Sequence, residues 1–337
     1  MKKIVYLIVA LIIVFAGCQK KTSRNTEENT ISPSVVVAAA ASSDVSNTED
    51  APKVYMTKDI SPAGLMAVYD ALGRQAAGNN VAVKISTGEP GGKHFLAPSL
   101  IKGLVQRVNG TIIEANTAYG GRRTSTAMHY QVAKDHGFTD IAKVVILDEN
   151  GDVPIPVVGG KHLTEDLVGA HFPEYDFHMI LSHFKGHSMG GFGGALKNLS
   201  IGYASSRGKN LIHTAGRNSR RMTGGDQNSF LESMAEAAKA VVEAGGKDRF
   251  VFINVMNHLS VDCDCSSNPA APTMKDIAIL ASLDPVALDK ACVDLVYAAP
   301  DGQDLIRRIE SRNGILTVNH AASIGLGSLD YELISID

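Results

Sequence analysis

The feature that most restricts how this chain can fold is a set of short apolar runs that do not alternate. Residues 81–85, 111–113, 144–147, 179–181, 250–255 and 277–280 are rich in Val, Ile, Leu and Phe and are nearly continuous in apolar character. A strand with one wet face alternates apolar and polar residues, whereas a continuous run is buried on both faces, as in a parallel sheet covered by helices. Stretches with helical spacing lie between and around the runs, at 62–77, 98–108, 124–136, 229–242 and 285–297. The last starts with Asp284 as N-cap and Pro285 at the first helical position, where the fixed φ suits a helix and the missing N–H has no partner to lose. The expected fold is therefore α/β, a mostly parallel sheet flanked by helices. Residues 86–90, 114–119, 182–187, 257–258 and 282–284 follow the runs and are dense in Ser, Thr, Asn, His, Lys and carboxylates. Ligand crevices of open α/β sheets lie outside the carboxyl ends of the strands, so the site is expected there.

The N-terminus reads differently. Met1-Lys2-Lys3 precedes the apolar run 4–16, which closes with Phe15-Ala16-Gly17-Cys18. The run is shorter than the ~20 residues that span a bilayer, and its basic start and small-residue finish have the pattern of a signal peptide. The small-small-Cys ending resembles the lipobox of bacterial lipoproteins, which implies lipidation of Cys18. The expected organisation is a lipoprotein signal peptide at 1–18, a flexible linker at 19–52 without a periodic apolar face, and an α/β domain at 53–337. The expected location is the bacterial cell envelope, lipid-anchored and outside the cytoplasm, with the membrane as a partner through the acyl chains. A formal net charge of -3 over 337 residues provides no basic face, so no nucleic-acid partner is expected. Protein partners have no signature, whereas the polar segments after the runs imply a small-molecule ligand.

The densest chemistry lies at 178–209. His183 and His187 flank Lys185, and Gly190, Gly191, Gly193 and Gly194 lead to Lys197 and Asn198. Glycines let a backbone approach an anion with its N–H groups, lysines add charge, and a neutral imidazole serves as a base or metal ligand. His183, Lys185, His187 and Lys197 are the candidate catalytic groups, and the four glycines with Asn198 form the candidate ligand cradle. The alternative is a demanding loop whose histidines cap backbone groups. No G-x-x-x-x-G-K-[ST], no G-x-G-x-x-G after a strand and no G-x-S-x-G occurs, which sets aside the common nucleotide loops and the α/β-hydrolase nucleophile.

Cys263 and Cys265, in Asp262-Cys263-Asp264-Cys265, either share a transition metal with a donor such as His258, close a disulfide, or remain free thiols. Two thiolates fall short of the four ligands of a structural zinc or iron-sulfur centre, so any metal also needs histidine or other ligands, and a four-cysteine cluster is not expected. A third group comprises Asn116, Thr117, Tyr119, Arg122, Arg123, Thr124 and His129. Its arginines either clamp a carboxylate or phosphate, or face solvent while Thr124 caps a helix. Asn116, Arg122 and His94 join the candidate ligand contacts. Cys292 shares a helical stripe with Leu288 and Leu295 and reads as core.

The segments SHFKGHSMGGFGGALKNLSIGYASSRGK (182–209), DCDC (262–265), DIAILASLDPVALDKACVDLV (276–296) and HAASIGLGSLDYEL (320–333) together resemble the domain-of-unknown-function 362 family. TGEPGGKHFLAP (87–98) and IIEANTAYGGRRT (112–124) add to the likeness, which runs from about residue 54 to the C-terminus. The resemblance implies a fold and a site but no settled reaction. Many relatives carry a ferredoxin module with C-x2-C-x2-C-x3-C-P runs; this chain has none, which argues against an inherited four-iron cluster. The glycine-rich loop with its nearby histidines and lysines is also similar to nickel-pincer lactate racemases. That likeness implies that His183, Lys185, His187 and Lys197 surround a metal-bearing cofactor or a small carboxylate. The residues themselves name no cofactor, and the expected function is a membrane-tethered protein with a metal or redox site, or else a non-catalytic lipoprotein binding a small anion or glycan.

Overall fold

A computed structural model of the chain describes residues 51–266 and 268–337; Cys18, the expected signal peptide and nearly all of the expected linker lie outside them. Among the described residues the strands and helices are, in chain order, β1 (Lys53–Thr57), α1 (Pro62–Ala71), β2 (Val81–Lys84), α2 (Pro98–Arg107), β3 (Gly110–Glu114), α3 (Thr126–Asp135), β4 (Val144–Ile146), β5 (Asp152–Pro156), β6 (Glu165–Gly169), β7 (Phe177–His183), β8 (Lys185–His187), β9 (Gly191–Gly193), α4 (Ala195–Tyr203), α5 (Ser206–His213), α6 (Gln227–Gly245), β10 (Phe250–Val255), β11 (Ile279–Ser282), α7 (Pro285–Ala298), α8 (Gln303–Ser311), α9 (Ile315–Ser323) and β12 (Glu332–Ser335). No helix of the described residues is long and apolar enough to cross a membrane.

Eight strands form one sheet in the order β12-β1-β11-β10-β7-β2-β3-β4. β10, β7, β2, β3 and β4 are parallel neighbours, and β1 is parallel to β12; β11 runs antiparallel to both β10 and β1. The sheet is mostly parallel, and its strands feed side chains alternately into two cores. Met179 and Leu181 of β7 enter one with Val83 and Ile253, under Leu65 and Val68 of α1 and Leu104 of α2. Ile180 enters the other with Ala82 and Phe252, under Leu199 of α4, Val241 of α6 and Leu288 and Cys292 of α7. Both faces are dry, which is why the runs do not alternate. Each large side chain so buried contributes about 1.5–3 kcal/mol relative to exposure.

Several local expectations are revised. The helix expected at 62–77 ends at Ala71, because Gly73 takes φ +67° and turns the chain out of the helix. The helix expected from residue 124 starts at Thr126, and Thr124 Oγ1 donates to Gly121 O rather than capping it. β12, an edge strand, and its neighbour β1 lack a continuous apolar run, and β12 is largely exposed. Asp284 caps α7 as expected, accepting from the N–H groups of Val286 and Ala287.

The start of α4 matters most for the site. Its N-cap, Gly194, has no side chain to offer. Instead the buried Asp289 carboxylate of α7 accepts from the N–H groups of Ala195 and Leu196, at 2.8 and 2.9 Å, and from Asn254 Nδ2 at 2.8 Å. A Cβ at Gly194 would lie 2.3 Å from Asp289 Oδ1, so only glycine admits this approach. Asp289→Ala leaves three buried donors without an acceptor and is expected to cost about 3 kcal/mol, with Asp289→Asn costing less. Denaturant unfolding measures both, and a loss below about 1 kcal/mol for the alanine variant contradicts the assignment.

Candidate functional site

The site begins with a lysine where an apolar residue is expected. Lys84 closes the buried strand β2 and is 1% exposed. Its Nζ donates to Ile85 O at 2.5 Å, Asn198 Oδ1 at 3.1 Å and Glu114 Oε2 at 3.3 Å. Glu114, at the end of β3, also accepts from the Thr87 N–H at 2.7 Å and from Arg123 Nη1 at 3.4 Å. Arg123 in turn grips Glu89 Oε1 through Nε and Nη2, at 2.9 and 2.6 Å, with the Tyr119 hydroxyl donating to the same oxygen. Buried charges persist only when paired and hydrogen-bonded. Burial alone would raise the Glu114 pKa, but Lys84 and Arg123 outweigh it and hold the carboxyl well below the usual range.

A second ion pair stands where β7 ends. Lys185 Nζ donates to Asp264 Oδ1 at 2.5 Å, and His183 Nδ1 lies 2.9 Å from Asp264 Oδ2. His183 Nε2 lies 2.6 Å from Asn257 O, so both ring nitrogens already face oxygen acceptors and neither is open to a metal or substrate. Gly186 between Lys185 and His187 lies flat against the Val261 backbone, where a Cβ would approach to 2.3 Å, and its N–H donates to Ser260 O. That contact sets β8 beside the segment bearing Cys263, Asp264 and Cys265. The two cysteines are joined as a disulfide that brackets Asp264.

His187 stands over this pair. One of its ring nitrogens and the two sulfurs lie within 4.8 Å of one another, a spacing that a single metal ion can bridge. Its Nδ1, however, accepts from the N–H groups of Gly190 at 2.8 Å and Met189 at 3.2 Å, which leaves the ring proton on Nε2. Burial pushes its pKa well below the usual value, with Lys197 adding to the effect, so the ring is neutral. A ligating histidine normally donates its second N–H to an acceptor. Here the second nitrogen faces donors, a polarity that opposes ligation.

Lys84, Arg123, Lys185, Lys197 and Lys209 line one cavity of about 290 Å³ with Glu114, Asp264, His183, His187, His213 and the two cysteines. Lys84, Arg123 and Lys185 have carboxylate partners. Lys209 Nζ donates only to Ala204 O, at 2.6 Å, and Lys197 has no hydrogen-bond or ion-pair partner among the described residues. Burial, reinforced by Lys84 and Arg123, lowers Lys197 to about 8. Burial likewise lowers Lys209 to about 8, against the opposing pull of Asp148 and Glu114.

The structure therefore gathers His183, Lys185, His187, Lys197, Asn198, Gly193, Gly194, Cys263 and Cys265 around the cavity. Gly190 and Gly191 do not line it, and the first N–H groups of α4 are taken by Asp289, so the glycine segment packs rather than cradles. His258 lies outside the His187 and cysteine group and sits against His94, ring centroids 5.2 Å apart. Asn116 is tied to Asp148 and Thr126. Arg122 points outward to Asp135 in a half-exposed pair, and the neighbouring Arg123 supplies the cavity's guanidinium. Sequence reasoning did not carry Lys84, Glu114, Lys209, His213 or Asp264 as site groups, and of the two arginines weighed as a clamp it carried Arg122 rather than Arg123. For Lys84 and Glu114 a signal existed: a charge at the end of an otherwise apolar buried strand has to be compensated.

The two arginines predict a sharp contrast. Arg122→Ala is expected to leave stability within about 1 kcal/mol, as for exposed ion pairs. Arg123→Ala strands Glu89 and is expected to cost about 3–5 kcal/mol. Parallel urea titrations of the two variants decide it, and equal losses contradict the placement.

Residues 81–294 match the family described as Domain of unknown function (DUF362). No curated protein sequence matches the chain. Among solved structures, the lactate racemase apoprotein from Thermoanaerobacterium thermosaccharolyticum aligns at 16% identity and a TM-score of 0.41, over 72% of this chain and 56% of that one. A protein from Thermotoga maritima aligns at 15% identity and a TM-score of 0.40, over 69% and 57%. This chain thus spans a little over half the length of those structures. The family match runs from β2 into α7 and takes in every cavity-lining residue described above, and the chain belongs to the DUF362 family.

Proposed function

We propose that this chain is an envelope-tethered protein that binds a small anion, a carboxylate or phosphate, in the strand-end cavity, with Cys263 and Cys265 in its wall as a thiol–disulfide centre. The observation that supports this is the charge balance. Five cationic side chains line the cavity against two carboxylates, and Lys197 and Lys209 have no carboxylate partner. An anion supplies the missing charge in a site where partial burial strengthens the interaction. The volume suits a small molecule.

The sulfur pair is read as redox rather than metal-binding because of the polarity at His187 Nδ1. Exchange with a reduced dithiol delivers two electrons and two protons: the incoming dithiol becomes a disulfide and both cysteines become thiols. Lipidation of Cys18 holds the domain at the bacterial envelope through the 19–52 linker, in a compartment that keeps disulfides formed.

Anion affinity should follow the lysines. Below about pH 8 Lys197 and Lys209 are both charged and hold the ligand; above it they lose their protons. Calorimetry with sulfate and pyruvate, whose own charges stay constant over the range, is expected to show affinity falling at least tenfold between about pH 7 and 9.5, each tenfold being about 1.4 kcal/mol. Lys197→Met and Lys209→Met should each weaken binding to a similar degree at pH 7. Absence of binding by either probe, or affinity indifferent to pH and to both variants, overturns the reading.

A further inference from the structure

We propose that Lys197 is a nucleophilic amine that forms an imine with the carbonyl group of a small oxo acid held in the cavity. The inference rests on the anion-binding reading and names the substrate class for it.

The cavity's cations divide by what they already hold. Lys84 is fixed by Ile85 O, Glu114 and Asn198, Lys185 by Asp264 and His94 O, Arg123 by Glu89 and Glu114, and Lys209 by Ala204 O. Lys197 alone among these five has no partner among the described residues. Its place is equally specific. It lies on the first turn of α4, whose start Asp289 fixes, and its side chain runs along Gly193, where a Cβ would come within 3.3 Å of Lys197 Cδ. The amine therefore ends in the cavity, free of any competing acceptor and backed by other cations.

Such an environment favours the neutral, nucleophilic form, because burial and nearby positive charge both disfavour the ammonium. The charged groups that bear on it are Lys84 of β2 and Arg123 ahead of α3, which favour the free amine, and Glu114 of β3 and Asp264 of the loop after β10, which oppose them. His187 of β8 is neutral. A ligand that uses this amine needs an electrophilic carbon beside an anionic group, and a 2-oxo acid has both, its carboxylate meeting Lys209 while its carbonyl meets Lys197. Nζ attacks the carbonyl carbon, a C–N bond forms, and the carbonyl oxygen leaves as water after two proton transfers. The product is a C=N bond with no net change in oxidation state.

Borohydride trapping tests this on the full chain. Pyruvate is the probe, and borohydride adds hydride to the imine carbon to leave a stable secondary amine that peptide mass spectrometry locates. Labelling is expected at Lys197 at least tenfold above any other lysine, greatest near pH 8 and suppressed by sulfate. It should be lost in Lys197→Arg, whose fold is checked by thermal unfolding, and absent with lactate, which has no carbonyl. Labelling spread evenly over the lysines, or persisting in Lys197→Arg, overturns the assignment. If calorimetry shows pyruvate binding but nothing is trapped, the imine inference alone falls; if neither sulfate nor pyruvate binds, the anion-binding reading falls with it.

Discussion

Lys84 and Glu114 end neighbouring parallel strands with almost no access to water, and removing each from solvent costs several kcal/mol unless its partners are complete. Completing them draws in most of what surrounds the cavity. Lys84 needs Ile85 O and Asn198, which fixes the chain leaving β2 and the first turn of α4. Glu114 needs the Thr87 N–H and Arg123, which fixes the loop after β2 against the segment ahead of α3. Arg123 then needs Glu89. Four separate stretches of chain are thereby referred to one buried ion pair, and the cavity is the space they leave at the carboxyl ends of β2, β3 and β7.

That network also explains how two unneutralised lysines are tolerated beside it. A buried ammonium without a counter-ion lowers its cost by releasing its proton, and Lys197 and Lys209 are both brought close to the pH at which they do so. On the anion-binding proposal, an arriving anion would restore the charge that burial takes from these lysines. Binding and proton uptake would then be coupled by the same electrostatics, with no moving part required.

The layered fold was legible because burial on both faces leaves a direct mark: runs at 81–85, 144–147 and 250–255 have no wet side, and they became β2, β4 and β10. Asp284 and Pro285 marked the start of α7 for an equally local reason. β1 and β12 were hidden because neither is buried along its whole length, β12 being a largely exposed edge and β1 its half-buried neighbour, and α4 because its cap, Asp289, lies 94 residues away in the chain. At the site, residue type and spacing singled out His183, Lys185, His187 and Lys197, but not their states. Whether a histidine nitrogen faces a donor or an acceptor depends on Met189, Gly190, Asn257 and Asp264, and these meet it only through the fold. Arg122 and Arg123 show the same limit: adjacent in sequence and identical in chemistry, they part company because one side chain turns to solvent and the other to Glu89.

Asp264 carries the argument from the ion pairs to the sulfur chemistry. It lies inside the ring closed by Cys263 and Cys265, and its carboxylate is at the same time the counter-ion of Lys185 and the partner of His183. Burial favours the neutral acid, but His183 and Lys185 outweigh it and keep the carboxyl below its usual pKa. Opening the disulfide removes a covalent restraint from the residue that neutralises Lys185, without any intervening element to absorb the change. The neighbouring His187 ring is kept neutral by burial and so holds no imidazolium proton to give to a thiolate. Because Lys185 lines the same cavity, a thiol–disulfide change of the kind proposed above would act on a cation of the proposed anion site through Asp264 alone.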